Sequence, residues 1–171
     1  MTTMTTMTGT RTHTVLASPI GPLTVVAVDG ALCGLYFPGH QRLPDPETFG
    51  RRTDDGFDAV RDQLAAYFAG ERTTFDLDLA PVGDPFKQKV WALLREIPYG
   101  ETRSYGDLAR LLGDRNLAQA VGHANALNPI SIVVPCHRVV AADGHLTGYA
   151  GGLERKRFLL DLETPAGERL F

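Results

Sequence analysis

Apolar and polar residues alternate in the first part of the chain, and this period of two in runs rich in β-branched residues predicts strands. Three such runs occur at residues 14–17, 23–28 and 32–37. Asp29-Gly30 separates the second run from the third and is typical of a tight hairpin turn. We therefore predict an antiparallel meander, and the alternation at residues 75–79 predicts one further strand.

A helical period lies between these strands. Over residues 57–68, apolar side chains recur every three or four positions, which places them on one face of a helix. Asp54 or Asp55 is a suitable N-terminal cap, and Gly70 is a suitable end. The preceding residues 38–52 are rich in proline, glycine and charge, and they predict a loop.

Helical spacing dominates the second half of the chain. The predicted helices cover residues 86–97, 104–112, 117–126 and 154–163. The second opens on a capping box, residues 104–107, and ends at Gly113. With the third it has the spacing of a helix-turn-helix, which any pair of short helices shares. In the last helix Phe158, Leu159 and Leu162 are expected to face the core.

One segment interrupts both periods. Residues 81–85 (PVGDP) contain two prolines, a glycine and an aspartate, and they predict a linker. We expect an N-terminal domain at residues 13–80 and a C-terminal domain at residues 86–171. Residues 1–12 are of low complexity and predict a disordered tail.

The composition is that of a globular protein. The chain has 171 residues, of which 43% are hydrophobic and 22% charged, so it is neither a disordered nor a collagen-like sequence. It contains no apolar run of about 18 residues and no secretory signal, so we expect a cytoplasmic protein without membrane spans. Cys33 and Cys136 are the two cysteines, and both are expected as free thiols.

The charge is unevenly distributed. Residues 1–84 hold 6 basic and 11 acidic side chains, whereas residues 85–171 hold 11 basic and 9 acidic ones. A basic half beside an acidic half is compatible with a polyanionic partner, and also with chance variation on a solvated surface.

Cys136 is the strongest candidate for chemistry. It lies in Pro135-Cys136-His137-Arg138, after an apolar run and before a glycine-rich loop. A thiol needs a base to become a nucleophilic thiolate near neutral pH, and histidine is the usual base. Neighbouring side chains of an extended segment point apart, so we expect a bridging water between Cys136 and His137 rather than direct contact.

Several alternatives remain at this point. Glu163, Glu154 or Asp161 is a candidate for the carboxylate that orients the imidazole. Cys136 is equally compatible with a small buried apolar residue, and His137 with a hydrogen-bonded core residue. A zinc site is rejected, because adjacent Cys and His without further paired ligands make a poor tetrahedral site.

Linked motifs over residues 85–163 resemble the O6-alkylguanine-DNA alkyltransferases, also called methylated-DNA–protein-cysteine methyltransferases. They are residues 90–105, Asn128-Pro129, 130–134 (ISIVV), 135–139 (PCHRV), 148–152 (GYAGG) and 156–163. The first half matches this family loosely. The resemblance implies a two-lobe α+β fold, with an N-terminal ribonuclease-H-like α/β lobe and a mostly helical C-terminal lobe carrying a winged helix-turn-helix.

The resemblance also implies roles for individual residues. Cys136 would accept the alkyl group, His137 would be its base through a water, and Glu163 would orient His137. Asn128 would brace the turn that carries the cysteine, and Tyr105 would donate a proton or hydrogen bond to the leaving guanine. The substrate would be bound by Tyr149, Val139, Ala150 and Arg138.

The implied partner is double-stranded DNA containing O6-alkylguanine, approached from the minor groove by a monomer without metal or other cofactor. The residues implied at the DNA surface are Ala118, Gln119, Gly122, Asn125 and Arg115. Gln119 departs from the family, which usually has an arginine there to fill the gap left by the flipped base. We expect weaker base extrusion or a shifted lesion preference in consequence.

Two other classes of protein are weighed against this interpretation. A non-catalytic protein that binds alkylated bases would replace the cysteine, commonly by tryptophan, so Cys136 counts against it. A helix-turn-helix regulator would need neither the PCHR motif nor the GYAGG loop.

Overall fold

The computed structural model describes residues 10–40 and 43–164. A mixed sheet of four strands in the order β3-β2-β1-β4 forms the N-terminal lobe. The strands are β1 (Arg11–Leu16), β2 (Leu23–Val28), β3 (Ala31–Tyr36) and β4 (Arg51–Arg52). The first three strands form the predicted antiparallel meander, and β4 pairs in parallel with β1.

Two predictions for this sheet need correction. Arg11 and Thr12, assigned to the disordered tail, pair with β2, because the alternation of β1 begins earlier than the apolar run suggests. The rest of that predicted tail, residues 1–9, lies outside the described residues. The loop prediction for residues 38–52 missed a 3-10 turn, Pro46–Phe49, and strand β4, whose exposed arginines carry no apolar signal.

Helix α1 (Asp58–Phe68) packs on this sheet, with Val60, Leu64 and Tyr67 buried as its spacing predicts. Its predicted cap is wrong. Phe57 is the N-cap and makes no side-chain cap bond, whereas Asp54 accepts a hydrogen bond from Thr14 Oγ1 at 2.6 Å.

The predicted strand at residues 75–79 is also wrong. The segment makes a single bridge, between Leu32 and Leu79, and is otherwise irregular. Its alternating apolar side chains are partly buried against the core, which explains the pattern without a second ladder of hydrogen bonds.

Four helices and a short parallel pair of strands form the C-terminal lobe over residues 85–163. They are α2 (Pro85–Arg95), β5 (Arg103–Ser104), α3 (Tyr105–Leu111), α4 (Ala118–Ala126), β6 (Val139–Val140) and α5 (Leu153–Glu163). Pro85, assigned to the linker, is the first residue of α2, capped by Asp84. The predicted capping box of Ser104 and Asp107 is confirmed, and α3 and α4 form the helix-turn-helix.

Helix α5 faces the core as predicted with Leu159 and the partly buried Leu162, but not with Phe158. Phe158 is 37% exposed, whereas Leu159 and Leu160 are buried. The same face buries Lys156 and Glu163, at one helical turn on either side of these leucines. The prediction missed this part of the buried face because Lys156 and Glu163 are polar, and polar residues are not expected in a helix core.

The two lobes share one hydrophobic core. Leu35 of β3 and Tyr67 of α1 belong to the same cluster as Leu94 of α2 and Leu159 of α5. The backbone N–H of Leu35 also donates to the carbonyl of Pro129 at 2.8 Å, next to the segment that leads to Cys136. No helix in the described ranges is long and apolar enough to cross a bilayer.

Candidate active site

Cys136 begins a 3-10 turn, Cys136–Arg138, at the centre of the molecule. Asn128 braces the approach to this turn. Its Nδ2 donates to the carbonyl of Val134 at 2.8 Å, and its Oδ1 accepts from the N–H of Ile130 at 3.0 Å. The backbone N–H of Cys136 donates to the same Val134 carbonyl at 2.8 Å. These bonds fix the position of the thiol.

The Cys136 side chain lies inside the protein, with the residue 4% exposed. Burial raises the pKa of the thiol, although a hydrogen bond from Asn128 and the charge of Lys156 act in the opposite direction. The resting sulfur is therefore a protonated thiol, and a nearby base must take its proton before it can attack.

His137 is a base of fixed tautomer. It is fully buried, and its Nε2 lies 2.8 Å from Oε2 of Glu163. Burial acts to raise the pKa of Glu163, but hydrogen bonds from His137 and Arg138 and the charge of Arg138 outweigh it and hold the pKa at about 2. Because this ionised carboxylate only accepts, Nε2 of His137 carries the proton and Nδ1 is left with its lone pair.

The free nitrogen of His137 is available to a water. Nδ1 is buried and has no hydrogen-bond partner among the described residues. Burial lowers the pKa of His137, and the hydrogen bond and charge of Glu163 oppose this shift. The imidazole is therefore neutral at rest. Of the three carboxylates that the sequence left open, Glu163 is the one in contact with it.

Arg138, expected at the substrate, makes its hydrogen bonds to the Glu163 carboxylate and to a backbone carbonyl. Its Nε donates to Oε1 of Glu163 at 2.7 Å and its Nη2 to Oε2 at 2.9 Å. Its Nη1 donates to the carbonyl of Ile97 at 2.6 Å, and the guanidinium lies 5.8 Å from the ring centroid of Tyr99. A buried carboxylate of this kind requires a buried cation, and that need fixes where Arg138 points.

The glycine-rich loop packs over the thiol. Tyr149 is 5% exposed, and its ring centroid lies 5.8 Å from that of Phe37 in the N-terminal lobe. Burial raises the pKa of Tyr149 well above its ordinary value, with the neighbouring Cys136 adding to the shift. Ala150 is half-buried beside it.

Lys156 was not singled out from the sequence, yet it ties this loop to the strand after the cysteine. The residue is fully buried, and its Nζ donates to the carbonyls of Val139 at 2.7 Å and Thr147 at 3.0 Å. Burial lowers its pKa to about 8, and Cys136 acts in the opposite direction. The signal was its position, one turn before Leu159 and Leu160 on the buried face of α5.

Tyr105 joins the helix-turn-helix to the same loop. Its hydroxyl lies 2.7 Å from Oγ1 of Thr147, and its ring lies beside Gly122 of α4. On α4 and the turn before it, Gln119 and Arg115 are exposed, and Ala118 and Gly122 are half-buried. All four positions are at least partly accessible to solvent.

Asn125 does not share that surface. It is 4% exposed, and its Nδ2 points towards the carbonyl of Cys136 at 3.5 Å. The residue lies on the inner side of α4, next to the buried Ala124, so its expected place among the DNA contacts is corrected.

Comparison with known proteins identifies the family to which the chain belongs. The DNA-binding domain model of 6-O-methylguanine DNA methyltransferase matches residues 85–165, and the ribonuclease-like domain model of the same family matches residues 12–81. The chain belongs to the 6-O-methylguanine DNA methyltransferase family.

Relatives in this family match over most of their length. A methylated-DNA–protein-cysteine methyltransferase of Mycobacterium tuberculosis is 49% identical over 164 residues, covering 90% of this chain and 94% of its own. One from Methanosarcina acetivorans is 47% identical over 152 residues, covering 88% and 97%. The crystal structure of Mycobacterium tuberculosis OGT in complex with DNA is 49% identical, with a TM-score of 0.86 and coverage of 89% and 92%. The two-lobe α+β fold with its ribonuclease-like first lobe is confirmed.

The second cysteine of this family member lies apart from the site. Cys33 is buried on β3 in a separate cluster with Val26, Tyr36 and Phe49. Across residues 10–40 and 43–164, no group of three His, Cys, Asp or Glu side chains is placed to hold a metal ion.

Proposed function

We propose that Cys136 accepts an alkyl group from O6 of guanine in double-stranded DNA, irreversibly and once per molecule. The family places the protein in DNA repair by alkyl transfer to a cysteine. The observation that supports Cys136 as the acceptor is the neutral His137 next to it in the chain, whose Nε2 is held by Glu163 and whose Nδ1 has no hydrogen-bond partner among the described residues.

The proton moves first. A water between Cys136 and Nδ1 of His137 carries the thiol proton to the imidazole, and Glu163 stabilises the imidazolium that forms. Desolvation then makes the thiolate a stronger nucleophile than it would be in water. The buried carboxylate stays ionised throughout, because its pKa is about 2.

The thiolate attacks the alkyl carbon. A C–S bond forms, the C–O6 bond breaks, and its electron pair goes to the guanine oxygen. Tyr105, whose hydroxyl already makes a hydrogen bond to Thr147, donates a hydrogen bond or proton to that oxygen. The proton released from Cys136 balances the one that guanine gains.

The product explains single turnover. The reaction leaves a thioether on Cys136, and a thioether has no carbonyl that water could attack, unlike the thioester of a cysteine hydrolase. Water cannot hydrolyse such a bond to regenerate the thiol, so each copy is consumed.

The lesion must leave the helix to reach a buried thiol. Extrusion of a base costs a few kcal/mol, and less for a lesion that pairs poorly, which gives selectivity without sequence readout. We place α4 in the minor groove, where Ala118 and Gly122 allow close approach and Gln119 and Arg115 face the DNA. O4-alkylthymine is a second candidate lesion. We propose that the protein acts as a monomer.

Intact mass after reaction with duplex DNA containing one O6-methylguanine tests the proposal. We expect the protein to gain the mass of one methylene, with one methyl per molecule even in excess DNA. Peptide mapping should place it on Cys136. Cys136→Ala should abolish transfer and keep DNA binding, whereas Cys33→Ala should change neither. A label on Cys33, or a second methyl at long times, would overturn the assignment.

A further inference from the structure

A tyrosine of the N-terminal lobe reaches the Glu163 carboxylate of the C-terminal lobe. Tyr67 lies on α1, is fully buried, and donates from Oη to Oε2 of Glu163 at 2.6 Å. The same oxygen accepts from Nε2 of His137 and from Nη2 of Arg138 at 2.9 Å. The two residues are 96 positions apart in the chain, so the contact depends on how the lobes pack.

The hydroxyl of Tyr67 is held in place by rings on several sides. Its ring centroid lies 5.4 Å from those of Phe68 and Phe75 and 6.3 Å from that of Tyr99. Tyr99 comes from the C-terminal lobe and also lies under the guanidinium of Arg138. A side chain packed in this way donates in one direction only, which is what a preorganised donor needs.

We propose that Tyr67 is a positioning residue that, by donating to Glu163, limits how strongly this carboxylate holds the proton on the His137 imidazole. The proposal rests on the proposed function, in which His137 is the base for Cys136. It makes the N-terminal lobe part of the proton-transfer machinery, beyond its share of the hydrophobic core.

The physical reason is the sharing of one oxygen. Each donor to a carboxylate oxygen withdraws negative charge from it, so the other hydrogen bonds to that oxygen weaken. Without the Tyr67 hydroxyl, Oε2 of Glu163 keeps two donors and binds the His137 N–H more strongly. The imidazolium is then favoured, and the pKa of His137 rises towards its ordinary value.

The other charged groups near His137 do not change their protonation state between neutral pH and the acid range in which His137 titrates. The titratable and charged side chains around it are Glu163 and Lys156 of α5, Cys136 and Arg138 of its own turn, Tyr149 of the loop and Tyr67 of α1. On the acid side of neutrality, Glu163 stays ionised because its pKa is about 2, and Lys156 stays protonated because its pKa is about 8. The fall of the methyl-transfer rate at low pH, which is the acid limb of the profile, therefore reports the protonation of His137.

The test is the single-turnover rate of methyl transfer against pH for Tyr67→Phe. We expect the midpoint of the acid limb to move to higher pH by about half a unit, so that transfer below the midpoint slows about threefold while the plateau is nearly unchanged. Tyr36→Phe is the matched control, since Tyr36 is a buried tyrosine of the same lobe in a separate cluster. It should leave the profile in place.

A second variant keeps the hydroxyl of Tyr67 and should shift the acid limb in the opposite direction. A ring-fluorinated tyrosine at position 67 is a stronger donor, so it should move the acid limb to lower pH. A uniform loss of rate at every pH, or an unmoved midpoint in both variants, would show a purely structural role and refute the proposal. If wild type and Tyr36→Phe transfer no methyl group to Cys136, the proposed function itself fails.

Discussion

The ring of Phe37 lies so close to the backbone of Gly151 that a Cβ atom at Gly151 would come within 2.3 Å of Cδ2 of Phe37. Phe37 follows β3 in the N-terminal lobe, and Gly151 belongs to the loop that carries Tyr149 and Ala150. The N-terminal lobe thus sets how deeply this loop seats over Cys136.

Gly151→Ala should therefore lift the loop. We expect a loss of about 1–3 kcal/mol in the free energy of unfolding, as for overpacked cores, and slower methyl transfer with DNA binding kept. Phe37→Leu in the same chain should restore part of both, which a double-mutant cycle measures. Gly148→Ala is the matched control, because nothing lies within 4 Å of a Cβ there. Equal effects of the two alanines would contradict the contact.

Glu163 should govern stability in acid. Its pKa is about 2 in the folded protein, below the ordinary value of 4.5, so its stabilisation is present above pH 4.5 and is lost as the pH falls towards 2. Glu163→Gln removes the partner of the buried Arg138, so we expect a loss of about 3 kcal/mol at pH 7 that narrows in acid. Urea unfolding from pH 7 to pH 3 measures this. The exposed Glu154→Gln on the same helix is the control, and a gap independent of pH would rule out the linkage.

Lys156 should contribute to the rate of methyl transfer, although it lies on helix α5 and not in the turn that carries Cys136. Lys156→Met keeps the length of the side chain but removes the hydrogen bonds to Val139 of β6 and to Thr147 of the loop, and with them the charge near Cys136. We expect about ten- to hundredfold slower transfer, by analogy with other residues that orient a reactive group. Lys89→Met, at an exposed position of α2, should have no effect. Transfer at the wild-type rate in Lys156→Met would exclude this role.

Gln119 offers a gain of function. Arginine there would add a charge and a longer side chain at the exposed face of α4, so we expect Gln119→Arg to bind lesion DNA more tightly and to extrude the base more readily. Fluorescence of a base analogue at the lesion site and the transfer rate both measure extrusion. Ala120→Arg adds the same charge at the next exposed position and should raise affinity alone. Unchanged affinity and rate in Gln119→Arg would refute the prediction.

Local patterns predicted much of the fold. The meander, α1 and the capping box of α3 follow from spacing and turn chemistry, which act over a few residues. Strand β4 could not be found this way, because its pairing with β1 depends on Gly50, whose Cβ would come 1.9 Å from the Arg11 carbonyl. This close approach of two segments that are distant in the chain leaves no pattern in the local sequence.

In the candidate site, too, the residues marked by a local motif could be predicted and those placed by tertiary contacts could not. Cys136 and His137 stand out as a motif, and family resemblance chose Glu163 among three carboxylates. Tyr67 was counted as one more apolar residue on the stripe of α1, since nothing in its own segment shows that its hydroxyl meets a carboxylate. Arg138 was assigned to the substrate because its motif surrounds the cysteine, whereas the charge of Glu163 draws it inward.

The burial of Cys136, at 4% exposure, also bears on the fate of the protein after it has acted. The added methyl group must occupy space in an interior that is already close-packed, at the point where the two lobes meet, and such crowding costs stability. We therefore expect a copy that has reacted to have a lower free energy of unfolding than a fresh one. A lower free energy of unfolding raises the population of the unfolded chain, which is the form that proteases cleave most readily.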